Sequence, residues 1–136
     1  MANLAADRST PRRDAVEFEY PVLASAKLFA GALAGFNAGA AFVSRGATST
    51  TFKTVGVVQA LADNSAGANG AINVKVRRGC FRFANSSAGD LITLADVGSD
   101  CYVVDDQTVA KTNGTSTRSV AGKVRDVDAD GVWVEI

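Results

Sequence analysis

Hydrophobic and polar positions alternate with a two-residue period in several stretches of this chain. Ile72, Val74 and Val76 alternate with Asn73, Lys75 and Arg77, and Val132, Val134 and Ile136 alternate with Trp133 and Glu135. Successive side chains of a strand point to opposite faces, so each stretch reads as a strand with one buried face. The six aliphatics are expected in the core, and Trp133 is expected to point away from it with Glu135. Short apolar runs at 27–33 and 38–43 are separated by Gly35, Asn37 and Gly39, and 48–54 is rich in Thr, which favours pleated structure. Asn69-Gly70, Asn113-Gly114 and Asp130-Gly131 are turn pairs, since these residues tolerate positive φ, and they are expected to close hairpins. The one helical candidate is a single turn at 93–97, with Thr93 as cap and Asp96 three residues later. The pattern predicts an all-β fold, a small β-sandwich or barrel of about nine short strands.

Residues 1–20 have a different character. Arg8, Arg12 and Arg13 mix with Asp7, Asp14, Glu17 and Glu19, and Pro11 and Pro21 interrupt the chain. Val16, Phe18 and Tyr20 alternate with Glu17 and Glu19, again at strand period. The expectation is an extended N-terminal arm over 1–20, followed by a single domain over 21–136. The apolar face of the arm's last part is expected to dock along a neighbour's exposed sheet edge, and its arginines to meet charges on a partner. A faint internal repeat matches 41–76 with 100–136. Each copy opens on an aromatic-Val pair, passes a Thr/Ser-rich connection and a mid-strand glycine (Gly56, Gly122), and ends in an alternating strand. It implies two related sheets packed face to face.

Charge narrows the function. Lys plus Arg and Asp plus Glu both number 14, giving a formal net charge of zero. The cation excess by which proteins displace counterions from nucleic acid or meet anionic membranes is missing. The chain has no His, the side chain suited to proton transfer near neutrality and the commonest neutral metal ligand. Cys80 and Cys101 stand outside any CxxC spacing and read as small buried hydrophobes. The N-terminal stretch lacks the apolar segment of a signal peptide. The most apolar stretch, 21–43, is broken by Lys27 and Asn37, short of the ~18 strongly apolar residues of a membrane span. The protein is expected to be made and kept in the cytosol.

Candidate chemistry adds little. Asp126, Asp128, Asp130 and Gly131 open like a calcium loop, but its closing carboxylate would fall beyond Ile136, so a hairpin turn is expected. Asp105-Asp106 reads as a solvated turn, and no serine has a base to activate it. No glycine pattern fits a phosphate loop. Lys75, Arg77, Arg78 and Arg82 form a basic run in which Lys75 and Arg77 share a strand face, a candidate patch for an acidic partner surface. The composition points away from an enzyme, and no cofactor is expected.

Residues 74–136, with VKVRRGCFRFAN, ADVGSDCYVVDDQTVA and DVDADGVWVEI as the most specific pieces, resemble small head proteins of Mu-like tailed phages and prophages. KLFAGALAGFNAGAAFV and VGVVQALADNSAGANGAINVKV resemble the first half of the same proteins. The resemblance implies a capsid decoration (cement) protein, often trimeric. Such a protein binds the major capsid protein on the outside of the head at three-fold positions and staples neighbouring capsid subunits. Its place would be the virion exterior, after assembly in the host cytoplasm. Arg8, Arg12, Arg13, Val16, Phe18, Tyr20, Arg77, Arg78 and Trp133 are the expected partner-binding residues. The rival reading is a stand-alone β-sandwich module for glycans or a host surface. It is weakened by few exposed aromatics, since only Trp133, Tyr20 and Tyr102 accompany the seven Phe.

Overall fold

The computed structural model describes residues 2–136. The chain is all-β and sandwich-like, with twelve strands and two single-turn 3-10 helices. The strands are β1 (Glu17–Pro21), β2 (Lys27–Leu28), β3 (Leu33–Phe36), β4 (Val43–Arg45), β5 (Lys53–Val58), β6 (Ala62–Asp63), β7 (Asn73–Arg77), β8 (Cys80–Phe83), β9 (Asp100–Val103), β10 (Val109–Ala110), β11 (Val120–Asp128) and β12 (Gly131–Glu135). Three more strands form than the expected nine or so. The surplus comes from elements such as β2, β6 and β10, whose two residues each are too few to show a period.

Two five-stranded sheets carry the fold. Their orders are β1-β7-β5-β3-β4 and β10-β9-β11-β12-β8, and a small β2-β6 ladder stands apart. Every strand pairing is antiparallel. Each sheet curls until its edges approach. A parallel bridge ties Val22, just past β1, to Val43 in β4, and another ties Ala84, just past β8, to Thr108 before β10. Such closure leaves less open edge for unwanted pairing.

The alternating stretches sit as their period requires. Val74, Val76, Val132 and Val134 are buried, while Ile72 and Ile136 pack half-buried at the margins. The chain holds two hydrophobic cores. One is built around Val43, Val58, Val74 and Val76, and the other around Phe83, Val103, Val124, Val132 and Val134. The central strands β3 and β5 serve both. Ala34 and Val58 face the first core, and Leu33 and Val57 face the second.

Of the three turn pairs, only Asp130-Gly131 joins two paired strands, β11 and β12. Asn69-Gly70 lies in the longer β6–β7 connection. There the Asn69 side chain accepts the Ala24 N–H at 2.8 Å, and the Gly70 N–H reaches Val22 C=O at 2.9 Å. Asn113-Gly114 lies in the β10–β11 connection, where Asn113 C=O accepts the N–H groups of Thr117 and Arg118. These pairs form local turns, but tertiary pairing takes their flanking strands elsewhere. The turn at 93–97 appears as a 3-10 helix, Leu94–Asp96, with the Asp96 carboxylate accepting the Thr93 N–H at 2.8 Å.

Candidate partner-binding surfaces

Residues 2–16 have no regular structure and are exposed throughout. Arg8 Nε donates to Thr10 Oγ1 at 3.1 Å, and the Arg13 guanidinium stands 4.6 Å from the Phe18 ring. Among the described residues, Arg8, Arg12 and Arg13 make no ion pair. The exposed arm is therefore cationic at three positions and shorter than the expected 1–20.

The difference lies in Val16, Phe18 and Tyr20. They were expected on a neighbour's edge, but β1 pairs with this chain's own β7. Phe18 sits opposite Val76 and Tyr20 opposite Val74. Both rings are half-buried against the first core. They stack on each other at 6.1 Å, and Tyr20 meets Phe36 edge-on at 5.3 Å. Val16 stays exposed, and its C=O accepts the Arg78 N–H at 2.7 Å. The physical reason is that β7 offers an unpaired edge and an apolar flank within the same chain, where no association entropy is lost.

The basic run is split between the two sheets. Lys75 and Arg77 share the exposed face of β7, opposite Glu19 and Glu17 of β1, so much of their charge is balanced inside the molecule. Arg78 follows the strand and is exposed. Arg82 belongs to β8, where it pairs with Asp130 at 3.7 Å and lies 5.8 Å from the Trp133 ring.

Trp133 points outward as expected and is half-buried. Its Nε1 donates to Asp128 Oδ2 at 2.8 Å. The other Asp128 oxygen accepts the N–H groups of Asp130 and Gly131 at 2.8 and 3.1 Å. The three-aspartate segment is thus a hairpin turn whose central carboxylate is consumed by the turn and the indole. Those bonds, the indole's first, hold Asp128 below the usual carboxylate range. Trp133, Arg82 and Asp128 together form an ordered patch on the outer face of the second sheet.

Both cysteines are free thiols. Cys101 is buried, and desolvation pushes it up to about 12. Cys80 is exposed, contrary to the expectation for both. The parity of β8 explains it: Phe81 and Phe83 turn inward, so Cys80 goes outward with Arg82. Among the described residues no group of three or more Cys, Asp or Glu side chains is placed to hold a metal.

Two features went unread in the sequence. Asn64 is the only buried polar residue among those described, and its Nδ2 donates to the C=O groups of Leu23 and Ala68, both at 2.9 Å. It ties the end of β6 to the segment after β1. Phe29 is 54% exposed and, with Arg45, is shared by two adjoining grooves of about 400 and 370 Å³. A lone Phe in an apolar run carries no sign that it faces solvent.

No helix among the described residues is long and apolar enough to cross a membrane. The chain matches no family model, no curated protein and no solved structure.

Proposed function

We propose that this chain is a capsid decoration protein of a Mu-like tailed phage, binding the outside of the assembled head and stapling major capsid subunits. The observation that carries the reading is the resemblance of 74–136, and of the segments before it, to small head proteins of such phages. The physical form of the molecule supports it. A closed two-sheet body of zero net charge carries an exposed arm over 2–16 with Arg8, Arg12 and Arg13 unpaired. Fully extended, such an arm reaches about 50 Å, enough to cross from one capsid subunit to the next. Trp133, Arg77 and Arg78 offer further contacts on the body. Aromatic and Arg side chains are the residues that most often anchor interfaces. A protein that binds only the assembled shell stabilises that state by mass action, and no turnover is required of it.

The partners are then the major capsid protein and the chain itself, as a homotrimer matched to three-fold positions on the shell. The place is the virion exterior. Light scattering of the free protein and of protein eluted from heads tests the trimer. A monomer in both would contradict it. Binding to heads, with no binding to unassembled capsid protein, tests the main proposal.

A further inference from the structure

The two five-stranded sheets match strand for strand. Numbered by appearance, β1, β3, β4, β5 and β7 lie in space as first, fifth, fourth, second, third, and β8 to β12 lie in the same order. The registers match as well. Phe18 and Tyr20 face Val76 and Val74, while Phe81 and Phe83 face Val134 and Val132. Gly56 faces Ala34 and Gly122 faces Cys101, and beside each glycine the pairing skips one residue in the same direction. A Cβ on Gly56 would meet Arg77 O at 2.6 Å, and one on Gly122 would meet Glu135 O at 2.3 Å. Arg77 and Glu135 are the last residues of their strands. The next N–H groups also correspond. Arg78 donates to Val16 C=O at 2.7 Å, and Ile136 donates to Gly79 C=O at 2.9 Å. Chance resemblance of two sheets does not reproduce order, register, bulge and glycine contact together. The faint repeat at 41–76 and 100–136 is part of this longer one. Its glycines and last strands correspond, but Val43 matches Val109 in register rather than Val103.

The differences between the copies say how they stack. The outer face of the first sheet presents Leu33, Phe52 and Val57, and these fill the second core. In the second sheet the matching positions are Asp100, Arg118 and Lys123. All three are charged and paired: Lys123 Nζ lies 2.7 Å from Asp100, and Arg118 lies 3.2 Å from Asp90. At the other end, the first core is covered by Leu28 and Ala62 of the β2-β6 ladder. That ladder has no counterpart in the second copy, where β11 turns directly into β12.

We infer that the chain is a tandem duplication of one five-stranded unit stacked head to tail, and that the Asp100–Lys123 pair caps a unit-on-unit docking face whose apolar form would bind a second copy of this chain. The argument for that occupant is continuity: the same face of the first unit is already seated on the second. Stacking buries apolar surface, and an ion pair at its centre opposes it because both charges would lose their water.

The experiment is sedimentation velocity over a concentration series, with wild type beside two variants. D100L/K123V restores the apolar pair seen at Leu33 and Val57. R125L/E135V removes another ion pair from the same sheet (3.4 Å) and is equally apolar, but its positions do not match the plug. The expected result is a heavier species, growing with concentration, in D100L/K123V alone, whatever state wild type adopts. If neither variant associates beyond wild type, or both do so equally, the docking face is refuted. Circular dichroism confirms folding. If the double variant does not fold, K123V carries the same comparison against R125L.

Discussion

At the scale of single residues, side-chain parity along a strand decides most positions. Val74, Val76, Val132 and Val134 were legible as core because their neighbours alternate cleanly, and they are buried. Val134→Ala should lower unfolding stability by about 1–3 kcal/mol through lost burial and a residual cavity, measurable by denaturant titration. Cys80 was misplaced although Arg82, two residues on, carried the parity that puts it outside. The cysteines give a direct readout: a thiol reagent should label Cys80 in the native protein, and label Cys101 only on unfolding. Equal native labelling of both would show that the second core is open. Asn64 was not legible, because its bonds run to Leu23 and Ala68 through a loop that only the fold brings near. A buried donor set of this kind stabilises only while its partners are in place.

At the scale of elements, period and turn signals have different reach. A strand of five residues shows its face, whereas β2, β6 and β10 have two each and exist because a neighbour pairs with them. The pairs Asn69-Gly70 and Asn113-Gly114 report a local bend but not which strands it joins. The segment from Glu17 to Pro21 was correctly read as a strand and assigned to the wrong sheet. Its apolar face carries no label of the molecule that receives it. The arm therefore divides at Val16, which gives an element-level prediction. Deleting residues 1–15 should leave thermal unfolding of the isolated subunit nearly unchanged, because those residues bury nothing in it. Affinity for heads, or oligomerisation, should fall. Unchanged decoration and unchanged oligomeric state would make the arm a frayed terminus. A deletion extended through Tyr20 should instead unfold the first core, since Phe18 and Tyr20 pack on it.

At the scale of the whole molecule, the all-β architecture and the kinship of the two sheets were legible, while the head-to-tail stacking of two cores was not. That arrangement depends on which face of β3 and β5 meets the second sheet, and their apolar residues serve both faces. The electrostatics of the body are those of a passive structural element. Asp63, Asp90, Asp96 and Asp128 are all held below the usual carboxylate range, chiefly by hydrogen bonds from Ser65, Thr112, Thr93 and Trp133. A lowered folded value stabilises above the unfolded pKa of about 3.9. That stabilisation is lost as pH falls through the folded values. With no His to titrate, the unfolding midpoint should be flat between about pH 6 and 8 and should drop only in acid below about 4. A change near neutrality would point to a group outside this account. The central claim is that the chain recognises an assembled shell, and co-sedimentation with intact Mu-like phage heads, set beside unassembled major capsid protein, tests it most directly. The account predicts saturable binding to the heads, in a fixed ratio to capsid subunits, and none to the free subunit. Absence of binding to heads, or equal binding to both forms, would contradict it.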